Sequence, residues 1–325
     1  MKPALSVIIP CRNASAFVRD AINSAKHQTR CDIEIIVIDD GSTDDTVTVI
    51  RTELKDGPPV RLIEQAPQGV SSARNAGVAA AQAPLIGFLD ADDTWHPEMV
   101  DRHLRAMAQN PSIDLSFSGY QQLQINGSDS YMYRPQNSAY RFDRLMQRNL
   151  LHTSGVVMRT ATFLELGGFD TTLELAEDYD LWLRVAERGP SAIWGVPEVL
   201  SQYRSHSAQA TRDWRQMHAC WKVVTARVEA RHPQAWSQIK TQAWLNQLEY
   251  VASLAHSNGD YKDTRNLMAS AWKLAGLKML RDSNTRVMTV LALASLLPPR
   301  GQRSVGLMLQ GLRRLRLALK PPAHR

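Results

Sequence analysis

The chain has 325 residues, 44% of them hydrophobic, with ordinary aromatic and charged fractions; this excludes global disorder and allows one large domain with an appendage, or two domains. Three scattered cysteines, Cys11, Cys31 and Cys220, form no CxxC pair and no zinc spacing, which excludes a disulfide framework and fits a reducing compartment. The net charge of +6 hides an asymmetry: residues 211–325 hold 19 Lys/Arg against 6 Asp/Glu, a net +13, leaving −7 for the rest. Met1-Lys2-Pro3 leads into a strand-like segment without an apolar h-region, so no secretory signal is expected. No stretch reaches the roughly 18–20 apolar residues of a membrane span, and Val287 to Leu297 is too short and ends in Pro298-Pro299.

Strand and helix signals alternate through the first third, which predicts an α/β sheet domain. Leu5 to Ile9 is a β-branched run, and Ala14 to His27 reads as a helix with Asn13 or Ser15 as N-cap. Ile33 to Ile38 predicts a second buried strand, ending in Asp39-Asp40-Gly41-Ser42, followed by a helix over Asp44 to Leu54. Val60 to Glu64 is a third strand, Ser71 to Gln82 an Ala-rich helix, and Pro84 to Leu89 a fourth strand ending in Asp90-Ala91-Asp92-Asp93. Ligands of open α/β sheets bind beyond the carboxyl ends of strands, so both acidic clusters are expected at one crevice. Ile113 to Tyr120 and Gly155 to Arg159 predict further strands, and Leu175 to Arg188 a helix with acids in its first turn. From about 211 onward the segments 214–230, 236–257 and 261–280 read as helices, with Asn258-Gly259-Asp260 a turn between the last two. The tail 303–320 sets Val305, Leu309, Leu312, Leu315 and Leu319 on one face among arginines, the pattern of a basic amphipathic helix.

Asp90-x-Asp92 at a strand end offers hard oxygen ligands for Mg²⁺ or Mn²⁺. Two acids in a loop are, taken alone, most often a solvated turn. Asp39-Asp40-Gly41-Ser42 could equally be a turn and helix cap, and Glu177-Asp178 could simply satisfy a helix N-terminus. The first strand is not followed by GxGxxG, and no P-loop is present, which disfavours NAD-linked and P-loop readings.

What changes the weighing is the order of the motifs. Ser6 to Asn13 (SVIIPCRN), Glu34 to Asp44 (EIIVIDDGSTD), Gly69 to Gly77 (GVSSARNAG), Phe88 to Pro97 (FLDADDTWHP), Gly167-Gly168-Phe169-Asp170, Glu177 to Leu183 (EDYDLWL) and Tyr203-Arg204-x-His206 follow one another. With them, residues 4 to 206 resemble a family 2 glycosyltransferase. The resemblance implies an α/β GT-A fold, a Rossmann-like nucleotide-diphospho-sugar transferase domain over 1–210, followed by a basic α-helical region over 211–325. It implies that Pro10 and Arg12 meet the nucleotide; many relatives carry an aromatic at the position of Arg12, whose guanidinium can also stack on a base. It matches Asp40 to a carboxylate that reads the uracil NH, with Asp39 structural. It sets Arg74 near the ribose or diphosphate, and Asp90 and Ala91 against the nucleotide-sugar. Asp92, with His206, matches the ligands of Mn²⁺ or Mg²⁺, and Asp178 the general base of inverting members, with Asp180 as the runner-up. Trp95 and Trp182 read as core.

The implied activity is inverting transfer of a sugar from a nucleotide-diphosphate donor, most simply a UDP-sugar, to a glycan or lipid-linked acceptor in bacterial cell-surface polysaccharide biosynthesis. Gln209 to Trp214 has one residue too many for the Gln-x-x-Arg-Trp motif of processive synthases, so single or few additions are expected. The expected location is cytoplasmic, at the inner face of the plasma membrane if the basic C-terminal region meets anionic lipid; nucleic acid is not an expected partner. The alternative is a non-catalytic nucleotide-sugar or glycan-binding module with a membrane-associating basic tail.

Overall fold

The structure, a computed structural model, describes residues 2–54, 58–124, 129–206, 209 and 212–276. The segments Val287 to Leu297 and 303–320 lie outside these residues. The described chain forms two compact units: Met1–Phe142 with Leu150–His206, and Asp143–Asn149 with the described residues after His206.

The first unit opens with β1 (Leu5–Cys11), α1 (Val18–Lys26), β2 (Ile33–Asp39), α2 (Thr46–Thr52), β3 (Val60–Glu64), α3 (Val70–Ala79) and β4 (Leu85–Phe88). Strands β1 to β4 pair in parallel in the order β3-β2-β1-β4. Every residue of β1, β2 and β4 is buried, as expected for parallel strands covered on both faces, and this is why they read as unbroken apolar runs. Gly77 lets α3 lie directly on the sheet: a Cβ there would stand 2.6 Å from both Ile38 Cδ1 and Ile8 Cγ2.

The α1 expectation needs correction. Asn13 has φ of +51° and its side-chain oxygen accepts from Thr43 N at 2.8 Å, while Ser15 lies in the turn before the helix. Neither caps α1, which begins at Val18, because Asn13 is used to tie the β1 loop to the β2 loop.

Next come β5 (Thr94–Trp95), α4 (Met99–Gln109), β6 (Leu115–Gln124), β7 (Asp129–Tyr133) and α5 (Phe142–Gln147), which crosses into the second unit. A 3₁₀ turn at Thr153–Gly155 leads into β8 (Val156–Arg159), then α6 (Thr160–Glu165), α7 (Glu177–Ala186) and β9 (Ile193–Ser205). The sheet continues β4-β8-β6-β9-β5, with β7 on β6; β8 is antiparallel to both β4 and β6, and β9 is parallel to β6. The antiparallel turn at β8 has a functional consequence: it brings the start of β8 beside the end of β4, where the second acidic cluster lies. Phe88, Phe163 and Phe169 pack edge-on and tilted with one another, and Phe88 and Phe169 with Trp182 of α7.

The second unit includes α8 (Trp214–Arg231), α9 (Pro233–Asn258) and α10 (Tyr261–Ala275). Asp213 caps α8 by accepting from Arg215 N and Gln216 N, and Pro233 starts α9 where its missing N–H costs nothing. Trp221, Trp236 and Trp244 cluster between α8 and α9, and Trp214 Nε1 donates to Asp260 at 2.8 Å. Among the described residues no helix is long and apolar enough to cross a membrane.

Candidate active site

The crevice forms where β1, β2 and β4 end. At β2, Asp39 accepts from Ser42 N at 3.0 Å and closes the turn. Its neighbour Asp40 is buried and accepts from Gln65 Nε2, Gln68 N and Gly69 N, each at 2.8 Å. A carboxylate has about four lone-pair sites, so three donors fix the Asp40 side chain and leave one site for a ligand N–H. Pro10 is buried in β1, opposite Ile38, and Arg12 projects exposed from the loop that follows.

At β4 three carboxylates crowd together. Asp90 receives Arg74 Nη2 at 2.6 Å. Asp92 Oδ2 is 2.8 Å from His206 Nε2, and the His206 ring stacks on Phe17 with centroids 5.1 Å apart. Asp93 is sealed in: it accepts from Ser154 Oγ at 2.5 Å and Arg204 N at 3.1 Å, and pairs with His152 Nε2 at 3.2 Å. Burial pushes the Asp92 carboxyl up, the charges of Asp93 and Asp90 add to this, and the His206 hydrogen bond opposes it. Ala91, between Asp90 and Asp92 in the chain, is buried.

Arg74, placed by resemblance near the ribose or diphosphate, is buried and forked between Asp90 (2.6 Å) and Glu177 Oε1 (2.7 Å), with Phe169 under its guanidinium at 5.3 Å. Asn75, one residue on, exchanges two hydrogen bonds with the Phe169 backbone, and Gly168, at φ of +71°, comes close to that amide.

Glu177 and Asp178 open α7 behind Ala176, a non-glycine residue in the left-handed region at φ of +61°, a conformation found mainly where a site requires it. Burial pushes the Glu177 carboxyl up against the pull of Arg74. Asp178 is half-buried; its Oδ1 accepts from Tyr179 N at 2.6 Å, and Thr153 Oγ1 lies 3.4 Å from Oδ2. Asp180 is buried and bound to Arg184 at 2.8 Å, which in turn donates to the Leu166 and Gly168 carbonyls; it orients a loop. Trp182 and Trp95 are both core, the latter donating to Ser154 O at 2.6 Å.

The sequence reading missed His152-Thr153-Ser154. These three residues touch Asp93, Asp178 and the Asp90 backbone N–H respectively. Burial alone would lower the His152 imidazole, but Asp93, with Asp90 and Asp92 behind it, raises it overall.

A divalent cation fits this site in a limited way. Among the described residues no group of three or more His, Cys, Asp or Glu side chains could hold a metal. Asp92 and His206 supply two donors, and the crowding of Asp92 with Asp90 and Asp93 favours a cation. The remaining positions would belong to ligand oxygens and water, and a carboxylate with an imidazole suits Mn²⁺ better than Mg²⁺.

The family model for glycosyl transferase family 2 matches residues 6–165. An uncharacterised glycosyltransferase of Rickettsia prowazekii is 30% identical over 216 residues, 64% of this chain and 66% of that protein. The chain belongs to glycosyltransferase family 2. The chondroitin synthase of Escherichia coli is 30% identical over 191 residues, 58% of this chain and 27% of that enzyme. The chain thus matches at most about two thirds of these relatives, and under a third of the synthase. Among solved structures, the Pyrobaculum calidifontis mannosyltransferase in complex with GDP-mannose and Mn²⁺ aligns with a TM-score of 0.59 at 18% identity, covering 97% of this chain and 88% of that one. TarS from S. aureus in complex with UDP aligns at 0.51 and 16% identity, covering 94% and 91%. The fold of this family 2 glycosyltransferase is GT-A, an α/β domain joined to a helical region.

Proposed function

We propose that this family 2 glycosyltransferase is an inverting enzyme that transfers a sugar from a UDP-sugar to a glycan or lipid-linked acceptor, in assembly of a bacterial surface polysaccharide. The catalytic domain is assigned to 1–210 and a surface-binding role to 211–325. The observation that carries the reading is the Arg74 fork: one buried guanidinium joins Asp90 of the diphosphate-side loop to Glu177, the neighbour of Asp178. Acids suited to hold a donor and a carboxylate suited to activate an acceptor are thereby fixed in one site, which a pure binding module does not need.

Asp178 is the general base. It takes the proton of the acceptor hydroxyl as that oxygen attacks the anomeric carbon and the bond to the diphosphate breaks. Its half-exposed position at the start of α7 keeps it within reach of solvent-side substrate. Asp40 presents its remaining lone pair to the base N–H, which favours uracil; Arg12 stacks on that base from the β1 loop. Asp92 and His206 would hold Mn²⁺, which when bound neutralises charge on the leaving diphosphate. The likeness to polysaccharide synthases supports the acceptor class.

Calorimetric titration with UDP, GDP and dTDP, each with Mn²⁺ and with EDTA, tests the reading. UDP is expected to bind only with metal, and Asp92→Ala to abolish that binding. A preference for GDP or dTDP would overturn the role of Asp40, and no binding to any nucleotide would favour the non-catalytic alternative.

A further inference from the structure

Four of the chain's eight tyrosines meet on one sheet face. Tyr120 of β6 lies opposite Tyr133 of β7, and Gln122 of β6 lies between Tyr131 of β7 and Tyr203 of β9. Directly opposite residues, and residues two apart on one strand, share a face. The rings touch accordingly: Tyr120 is 5.9 Å from Tyr131, 5.8 Å from Tyr133 and 6.3 Å from Tyr203, between centroids. All four are half-buried, so each keeps ring surface facing solvent instead of disappearing into the core.

This ribbon runs to the candidate site. His152 closes one end, 4.9 Å from Tyr120 and 5.0 Å from Tyr203, while its Nε2 pairs with Asp93. Its Nδ1 is buried with no hydrogen-bond partner among the described residues, the kind of vacancy in polar pairing that a ligand hydroxyl can fill. The next residue, Thr153, faces Asp178. The ribbon therefore starts beside the base and leads away from it.

Its chemistry selects the occupant. A pyranose ring has an apolar C–H face and a rim of neutral hydroxyls. Tyrosine rings match the face, and phenol and amide groups match the rim. We propose that Tyr120, Tyr131, Tyr133 and Tyr203, with Gln122 and His152, form a subsite that stacks a neutral pyranose residue of the acceptor and so presents a hydroxyl of the acceptor to Asp178. The proposal rests on the assignment of Asp178 as base.

Saturation-transfer NMR on the full chain tests it, with UDP and Mn²⁺ present and the methyl β-glycosides of glucose, galactose and N-acetylglucosamine, with lactose and chitobiose, as probes. The expected result is transfer to ring C–H protons of at least one probe. Its affinity should fall by about three- to tenfold in Tyr131→Leu and in Tyr203→Leu and be kept in the matching Tyr→Phe variants. Met132→Ala, on the opposite face and exposed, is expected to leave it unchanged. Transfer that is equal in parent and Leu variants, or absent for every probe while UDP still binds, overturns the subsite and leaves the transferase reading intact. Absence of binding to UDP, GDP and dTDP alike overturns the transferase reading itself, and the subsite with it.

Discussion

Arg74 is the residue on which two halves of the site depend. Its guanidinium serves Asp90 and Glu177 at once, a geometry that a planar fork supports and a lysine ammonium does not. Removing it leaves Glu177 buried without its counter-charge. Arg74→Met is therefore expected to cost about 3 kcal/mol of stability or more, and Arg74→Met with Glu177→Leu to recover part of that loss. Urea unfolding of both variants measures this; equal loss in the single and double variants would mean that the unpaired Glu177 is not the source of the cost. Asp178 differs because it is half-exposed at the start of a helix and can change without leaving an unpaired buried group. Asp178→Asn is expected to lower sugar transfer by about 10²- to 10⁴-fold with nucleotide affinity kept, as measured by turnover alongside calorimetry. A similar rate in the variant would remove the base assignment and turn attention to the Thr153 side of the pocket.

Among the elements, α4 on β6 carries a titratable group that the site does not use. His103 is fully buried, with Nδ1 2.7 Å from Ser116 Oγ and Nε2 without a partner among the described residues. Burial lowers its imidazole from 6.5 to about 3. The unfolded chain takes up this proton near pH 6.5, whereas the folded chain takes it up only near 3. The contribution of His103 to stability is thus complete above pH 6.5 and is lost as pH falls toward 3, with a slope of up to about 1.4 kcal/mol per unit. His152 acts in the opposite sense, because its imidazole is raised. The useful comparison is accordingly between parent and His103→Met: urea midpoints from pH 7 to 4 are expected to fall less steeply in the variant. The same elements show what a sequence discloses. β1, β2 and β4 were legible because parallel strands buried on both faces are written as apolar runs, and the partly exposed edge strand β3 matches its predicted bounds of Val60 to Glu64. β9 was not, because Gly195 and Pro197 look like breakers; in the fold the register skips Pro197 and Glu198 at a bulge, so the N–H that proline lacks is never needed. His152-Thr153-Ser154 escaped for a topological reason: only the antiparallel direction of β8 carries that triplet to Asp90 and Asp93, and strand direction is not written in a local pattern. The Arg74 fork was not legible because its two carboxylate partners lie 16 and 103 residues away along the chain.

For the molecule as a whole, the charge asymmetry sets the remaining prediction. Residues 1–210 carry −7 and hold the site acids, while residues 211–325 carry +13. An acidic crevice near an anionic lipid surface would be repelled by it, so an acceptor anchored in such a surface is reached only if another part of the chain supplies the attraction. The segment 303–325 contains five arginines and one lysine and no acidic residue. Each basic side chain near an anionic leaflet contributes about 1 kcal/mol, and the effect fades within a Debye length of about 10 Å at 0.1 M salt. Six such charges suffice for reversible binding at low salt and give a steep loss as salt rises. Flotation with vesicles of anionic and of zwitterionic lipid, using the full chain and a variant ending at residue 302, measures this. The full chain is expected to float with anionic vesicles at low salt, to be released by about 0.5 M salt, and to ignore zwitterionic ones; the shortened variant is expected to stay in solution. Equal flotation of the two proteins would move the attraction to the helices α8 to α10, and flotation insensitive to salt would replace the electrostatic account with burial of apolar surface.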